Sequence, residues 1–265
     1  MNLLFIGDIV GKGGRKAVKK LVPELRQKYS CSFCIANAEN SACGAGINEK
    51  CIKDLDEVVD VFTLGDHVWD QKSFVNEIKG IKNVLRPANV NPAQPGKGFD
   101  VFRVPAGGEI AVISLMGKVF MKNSSFCPFM EVDKIIKKLP STVKCILVDF
   151  HAEATSEMLA MGRFLDGRVT AVLGTHTHVQ TADARVFDKG TAYITDVGMV
   201  GADFSILGRS VDDVLYKFTT DMPNRLNVVE KGVIRFDAAV VSYNIGSGKA
   251  TGIKPLSILV DLDAV

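Results

Sequence analysis

The sequence predicts an α/β fold, and two observations carry that prediction. Short apolar runs with strand composition alternate along the chain with segments of helical periodicity, the pattern of a sheet covered by helices. Several of these apolar runs end in polar residues that bind ligands well, and ligands of open α/β sheets bind beyond the carboxyl ends of the strands. The 265 residues show no repeat, low-complexity segment or linker, so we expect a single domain over 1–265.

The elements of the first half follow from composition and spacing. Residues 3–6 predict the first strand, 11–14 a tight turn, and 16–29 a helix that Pro23 kinks or divides. Further strands are predicted at 33–36 and 61–64, and further helices at 70–78 and at 48–59, where Asn48 is a suitable N-cap. The stretch 87–98, rich in Pro and Gly, predicts a long surface loop.

The second half continues the alternation and then changes. Strands are predicted at 110–115, 145–148, 171–173 and 192–194, and helices at 132–139 and 156–165, with Gly167 ending the last helix. From about residue 233 the chain has strand composition, with the strongest signals at 240–243 and 258–260. This tail predicts either a second sheet or edge strands added to the first.

The net charge and the cysteines of the chain indicate which partners and which cellular compartment suit the protein. The 32 Lys and Arg nearly balance the 30 Asp and Glu, and this net charge of +2 favours a small substrate over a polyanion. RNA stays open as a partner, although the charge does not support it. Cys31 and Cys34 form a single C-x-x-C pair in a strand-like run, which predicts buried free thiols rather than a zinc ribbon.

The N-terminal segment predicts neither a signal peptide nor a membrane anchor. It lacks a basic leading region, and Asp8 interrupts its apolar run. No segment approaches the roughly 18 continuous apolar residues of a membrane span. We therefore expect a cytoplasmic protein that does not contact a membrane.

The four histidines of the chain all follow predicted strands, and carboxylates or an amide lie at the same positions. Imidazole is the commonest metal ligand in proteins, and the nitrogen and oxygen donors together suit Mn, Fe, Zn or Co better than Ca. One ion cannot hold so many ligands, so two ions are predicted. The candidate residues are Asp8, Glu39, Asn40, Asp66, His67, His151, His176 and His178.

Spacing alone leaves several alternatives open. His176 and His178 would share a face in an extended strand but could diverge to two ions in a loop. Asp149 and Glu153 flank His151 and either support it or are solvated. Asp196 either supports a ligand histidine or forms an Asx turn.

Longer motifs resemble a known family. The blocks Gly7-Asp8, Gly65-Asp66-His67 and 174–178 (GTHTH) resemble the signature of calcineurin-like metallophosphoesterases. The start of the chain (GDIVG) and four further blocks resemble the bacterial YmdB-like subfamily more closely, from residue 1 to at least residue 208. These four blocks are 37–40 (NAEN), 85–89 (LRPAN), 150–157 (FHAEATSE) and 174–183 (GTHTHVQTAD).

The resemblance implies a four-layer α/β/β/α sandwich with a di-metal centre and phosphodiesterase activity, including activity on 2′,3′-cyclic nucleotides. It implies two divalent or mixed-valence ions, with Fe or Mn favoured over Zn or Mg, and a hydroxide between them that attacks phosphorus. Members of the family often self-associate, so a homo-oligomer is compatible with it. By motif, Asp8, Asn40 and His178 would hold the first metal, Glu39 would bridge, Asp66, His151 and His176 would hold the second, and His67 would donate a proton.

The chain departs from the family pattern at two positions. Asp66 stands where the family usually has Asn, and Ala38 stands where it usually has Gly.

The same metal centre could serve a phosphomonoesterase. A regulatory metal-binding protein that acts by binding RNA or a partner is the non-enzymatic alternative.

Overall fold

Two β-sheets pack face to face, and helices cover the outer face of each sheet. The structure, a computed structural model, describes residues 1–105, 107–121 and 126–262. The strands are β1 (Asn2–Ile6), β2 (Asp8–Ile9), β3 (Cys31–Asn37), β4 (Val61–Thr63), β5 (Val84–Leu85), β6 (Phe99–Arg103), β7 (Glu109–Met116), β8 (Cys145–His151), β9 (Ala171–Thr175), β10 (Arg185–Val186), β11 (Ala192–Ile194), β12 (Met199–Ala202), β13 (Val233–Tyr243) and β14 (Ala250–Asp261). The helices are α1 (Gly11–Lys28), α2 (Glu49–Lys53), α3 (Phe74–Glu77), α4 (Pro128–Lys138), α5 (Thr155–Phe164) and α6 (Val211–Thr220).

Each sheet has a parallel centre with antiparallel additions. The first sheet has the order β2-β12-β13-β1-β3-β4-β5, and β1, β3, β4 and β5 run parallel in it. The second sheet has the order β10-β11-β9-β8-β7-β6, with antiparallel strands at both edges. The β-rich tail forms the antiparallel pair β13 and β14 and joins the first sheet, so it does not build a second one. It is not simply an edge addition either, because β13 lies between β12 and β1.

Three apolar layers hold the sheets and helices together. The layer between the sheets includes Phe5 from β1 and Leu147 from β8. On the outer face of the first sheet α1 buries Val18 and Val22, and on that of the second sheet α5 buries Met158. The molecule therefore has the α/β/β/α layers that the resemblance implies.

The prediction of a tight turn at 11–14 is wrong. Residues Gly11–Lys28 form one helix, and Pro23 lies inside it without dividing it. A Cβ atom on Gly14 would overlap the backbone of Val200, so this glycine serves the close approach of α1 to β12. Glycine was expected to mark a turn because of its conformational freedom, but here its missing side chain is what matters.

Other boundaries also differ from the predictions. The helices predicted at 48–59 and 70–78 are shorter, since α2 ends at Lys53 and α3 spans four residues before a 3₁₀ turn. Asn48 caps α2 as expected, because its side chain accepts a hydrogen bond from the Cys51 backbone at 3.0 Å. The loop at 87–98 is only partly a surface loop, because Asn89 is buried and donates to the Met116 carbonyl.

Two further observations complete the fold. The thiols of Cys31 and Cys34 are free and buried, as predicted. None of the helices in the described ranges combines the length and the apolar composition that crossing a bilayer requires.

Candidate metal centre

All eight candidate residues meet where strands of the two sheets end. Asp8 lies at the start of β2, directly after β1, and His151 is the last residue of β8. The others follow their strands in loops: Glu39 and Asn40 after β3, Asp66 and His67 after β4, and His176 and His178 after β9. The fold thus brings together residues as far apart in sequence as Asp8 and His178, which are 170 positions apart.

Four of these side chains surround one point. Glu39, Asp66, His151 and His176 each offer one donor atom, and these atoms lie within 4.8 Å of one another. The Nε2 atom of His151 lies 3.0 Å from Glu39 Oε1 and 3.2 Å from Asp66 Oδ1, and 3.0 Å from His176 Nδ1. Ligands about 2.0–2.2 Å from a shared ion are separated by distances of this order. The group could therefore hold one metal ion.

A second group of donor side chains also contacts Glu39. The Nδ2 atom of Asn40 lies 3.4 Å from Asp8 Oδ1, 3.2 Å from His178 Nε2 and 3.3 Å from Glu39 Oε1. The other ring nitrogen of His178, Nδ1, donates to the carbonyl of Leu207 at 3.3 Å, which directs Nε2 toward the group. Glu39 contacts both groups, so its position is that of a bridging ligand.

The loop after β9 explains how two histidines so close in sequence serve different groups. His176 has φ of 114° and His178 has φ of 64°, so the chain is not extended there. Their rings diverge to the two groups, which is the second of the alternatives left open by spacing. Asp196 fixes this loop, because its Oδ2 accepts from the Thr177 backbone at 2.8 Å and its Oδ1 accepts from Gly198 in an Asx turn at 2.7 Å.

The electrostatics of the site fit metal cations. Burial raises the pKa of Asp8 well above its usual value. Burial opposes the ionisation of Glu39 and His151, yet their mutual contact lowers the pKa of Glu39 and raises that of His151 well above its usual value. Burial lowers the pKa of His178 to about 4, so its ring is neutral at pH 7, as a metal ligand must be.

Metal binding should therefore release protons. Although burial opposes ionisation, contact with the carboxylates of Glu39 and Asp66 raises the pKa of His151 well above its usual value, which favours the protonated ring, whereas a histidine that binds an ion must be neutral. We expect titration of metal-free protein with Mn²⁺ at pH 7 to release at least about one proton per chain. Calorimetry in two buffers of different ionisation enthalpy measures this number, and His151→Gln should lower it. Identical heats in both buffers would contradict the prediction.

A buried hydrogen-bond network holds the His151 ring. Its Nδ1 lies 2.9 Å from the hydroxyl of Thr175, and that hydroxyl donates to Asp149 Oδ1 at 2.8 Å. Asp149 also accepts hydrogen bonds from Thr63 and Asn37. Because Asp149 orients Thr175 as an acceptor, His151 donates from Nδ1 and presents Nε2 to the metal group. Asp149 therefore supports His151, which spacing alone left undecided.

Removing the acceptor of this network should weaken metal binding. Thr175→Val keeps the shape of the side chain but loses the hydroxyl that fixes the His151 tautomer. We expect its affinity for Mn²⁺ to fall by roughly 10–100-fold, the usual effect of losing such a partner. Thr175→Ser is the matched control and should retain the affinity. Equal affinities of the Val and Ser variants, measured with a competing chelator, would refute the role of the hydroxyl.

His67 and Glu153 lie at the solvent side of the centre. The Nδ1 atom of His67 lies 2.8 Å from Asp70 Oδ2, and its backbone nitrogen donates to Glu39 Oε2 at 3.1 Å. Glu153 Oε2 lies 3.0 Å from His176 Nε2, so it contacts a different histidine from His151, which it flanks in sequence, and its side chain remains half exposed. His67 lines a pocket of about 360 Å³ together with Glu39, His176 and His178. Its ring thus faces the space that a substrate would fill.

Comparisons with known proteins agree with this geometry. The chain is 44% identical over 259 residues to the 2′,3′-cyclic-nucleotide 2′-phosphodiesterase of Bacillus subtilis (strain 168), which covers 97% of each chain. A crystal structure of a hypothetical protein from Thermus thermophilus matches with a TM-score of 0.90, 38% identity and coverage of 98% of this chain and 99% of that one. A novel phosphatase from Mycoplasma pneumoniae matches with a TM-score of 0.90, 32% identity and coverage of 98% and 94%.

A more distant structure and a family model complete the comparison. The calcineurin-like phosphoesterase YfkN of Bacillus subtilis shares the fold, with a TM-score of 0.51 at 11% identity over 97% of this chain and 90% of that one. The model of the family described as YmdB-like protein matches residues 4–256, which is nearly the whole chain. The chain therefore belongs to the YmdB-like protein family.

Proposed function

We propose that this protein is a metal-dependent phosphodiesterase that hydrolyses nucleoside 2′,3′-cyclic phosphates. The observation that carries the proposal is the pair of ligand groups that share Glu39 beside a pocket lined by His67. The name of the Bacillus subtilis relative supports the choice of substrate. The buried nitrogen and oxygen donors support divalent cations, and among these we favour Fe or Mn over Zn or Mg.

The side chains divide into three roles in this proposal. Two ions bound here supply Lewis acidity, which activates water and neutralises charge on the phosphate oxygens. Glu39 would hold both ions, and it also fixes the backbone of His67. The ligands of one ion would be Asp8, Asn40 and His178, and those of the other Asp66, His151 and His176.

His67 is the residue that we assign to proton transfer. An alkoxide such as the ribose 2′-oxygen is a poor leaving group, so a positioned acid accelerates its departure by about 10²–10⁴-fold. Asp70 accepts the hydrogen bond of His67 Nδ1 and orients the ring, which leaves Nε2 to donate to the departing oxygen. When the bond from phosphorus to O2′ breaks, the product is a nucleoside 3′-phosphate.

The product identifies the reaction. We expect the Mn²⁺-loaded protein to convert 2′,3′-cyclic AMP to 3′-AMP and to stop there, as followed by ³¹P NMR. A phosphomonoesterase is the second candidate, because the structural relative from Mycoplasma pneumoniae is called a phosphatase. Release of inorganic phosphate from 3′-AMP at a comparable rate would favour that candidate, and no turnover of the cyclic nucleotide would refute the proposal.

The acid at position 66 should tune metal and substrate binding in opposite directions. Asp66 Oδ1 lies 3.2 Å from His151 Nε2 and 3.6 Å from His176 Nδ1, and although burial opposes ionisation these histidines lower the pKa of Asp66. Its full negative charge attracts cations and repels a phosphate. We expect Asp66→Asn to weaken Mn²⁺ binding by about tenfold or more, since a unit charge near an ion is worth several kcal/mol before desolvation. The KM for 2′,3′-cyclic AMP should fall, and no change in either quantity would refute the idea.

A further inference from the structure

The pocket beside the metal centre has two chemically different walls. One wall is polar and consists of the metal-group side chains with His67. The opposite wall is apolar and is built by α6 and the segments before and after it: Ile206, Leu207, Val214, Phe218 and Leu226. Val214 and Phe218 are four residues apart on α6, so they lie on the same face of the helix. The proposed reaction involves residues of the polar wall, and it assigns no role to the residues of the apolar wall.

Part of this wall is exposed to solvent. Phe218 is 72% exposed and Leu207 is 45% exposed, although both line the pocket. A phenyl ring left in water beside a binding site is available for stacking against a flat partner.

The backbone holds this wall in a defined place next to the metal ligands. Leu207 has φ of 52°, a conformation that residues other than glycine seldom adopt, and such conformations cluster at functional sites. Arg209 secures the segment by donating hydrogen bonds to the carbonyls of Gly44 and Leu226. The carbonyl of Leu207 in turn accepts from His178, so the apolar wall is tied directly to the metal centre.

We propose that this apolar wall is a subsite for the nucleobase, with Phe218 as the stacking residue. The inference rests on the proposed function and names the part of the substrate that the metal centre does not bind. A nucleoside cyclic phosphate has an anionic end for the polar wall and a flat apolar base for the other wall. The pocket volume of about 360 Å³ lies at the lower end of the range for small-molecule sites, as a mononucleotide requires.

The chemistry of the wall also predicts its selectivity. The polar side chain of this wall is Arg209. Its guanidinium group donates hydrogen bonds to the backbone carbonyls of Leu226 and Gly44, so those hydrogen bonds are made within the protein and not to a ligand. Stacking without hydrogen-bond readout accepts every base and favours the larger ring systems. We therefore expect the enzyme to accept all four nucleoside 2′,3′-cyclic phosphates, with purines bound somewhat more tightly than pyrimidines.

The test compares a substrate with a base and one without. Steady-state kinetics of the Mn²⁺-loaded protein are measured on 2′,3′-cyclic AMP and on methyl β-ribofuranoside 2′,3′-cyclic phosphate, which carries a methoxy group in place of the base. We expect Phe218→Ala to raise the KM for 2′,3′-cyclic AMP about tenfold, the lower part of the range for loss of one stacked base, and to leave kcat within about twofold. The KM for the base-free substrate should not change, and Phe218→Trp should restore the low KM for 2′,3′-cyclic AMP.

Tyr216 provides the matched control. It is an aromatic residue of the same helix, is 49% exposed and lies outside the set of pocket-lining residues. Tyr216→Ala should therefore leave both KM values unchanged. Equal KM values of the unaltered protein for the two substrates, or an equal rise for both in Phe218→Ala, would overturn the subsite while the diesterase stands.

The remaining outcomes are also decisive. A change in oligomeric state of Phe218→Ala by light scattering, with both KM values unchanged, would assign this wall to a second copy of the chain and overturn the subsite. If the unaltered protein hydrolyses neither substrate, the proposed function itself fails.

Discussion

Replacing Glu39 by Gln should lower kcat/KM for 2′,3′-cyclic AMP by at least about 10²–10³-fold, the scale of losing one strong electrostatic contact at a reacting centre. Glu39 Oε1 lies 3.0 Å from His151 Nε2 and 3.3 Å from Asn40 Nδ2, so one carboxylate serves both ligand groups. Gln keeps the size of the side chain and one oxygen but removes the negative charge. The measurement combines steady-state kinetics with metal analysis, which should show fewer than two ions per chain.

Glu153→Gln is the matched control for this substitution. Glu153 also contacts a metal-group histidine, His176, but it does so at the rim, where its side chain is half exposed. A solvated carboxylate in contact with one histidine contributes less than a buried one that joins both groups. We expect a loss of less than about tenfold in this variant. Full activity of Glu39→Gln would contradict the role of Glu39 as the shared ligand.

The second large effect is expected at His67 and should depend on the leaving group. His67→Gln removes the acid, so kcat on 2′,3′-cyclic AMP should fall by about 10²–10⁴-fold. Bis(p-nitrophenyl) phosphate releases a stable phenolate that needs no proton, so its hydrolysis should fall far less. Metal content should stay at two ions per chain, because His67 lies outside the four-residue ligand group and bonds to Asp70.

Two results would contradict this assignment in different ways. Loss of an ion in His67→Gln would make His67 a metal ligand. Equal losses on both substrates would remove its role as a proton donor. Asp70→Asn provides a graded comparison, because it weakens the hydrogen bond that orients the ring of His67 while the ring itself remains.

The candidate site could be predicted from sequence because its residues directly follow strands. The carboxyl ends of neighbouring parallel strands lie at the same edge of a sheet. Histidines and carboxylates that follow such strands therefore meet even when they are far apart in sequence. The network behind His151 gave a weaker signal. Spacing left the role of Asp149 undecided, because its partners Thr175, Thr63 and Asn37 come from other strands.

Helix α6 shows a second limit of sequence reasoning. Hydrophobic periodicity predicts a helix when its apolar face covers a core, and Val214 is the buried residue of α6. The predicted elements omit α6 although Val211, Val214, Leu215 and Phe218 have helical spacing. Phe218 continues the face of Val214 into a pocket, and periodicity cannot show that the face lines a pocket and does not cover a core. The N-terminal signal of α6 was present, since Ser210 accepts a hydrogen bond from the Asp213 backbone.

The most direct test of the account is a metal titration of chelator-treated protein, with activity on 2′,3′-cyclic AMP measured at each Mn²⁺ equivalent. Since Glu39 joins two ligand groups, the account predicts that little activity appears with the first equivalent and that activity rises to its maximum as the second binds. Full activity with one ion per chain, or with none, would contradict the shared two-ion centre.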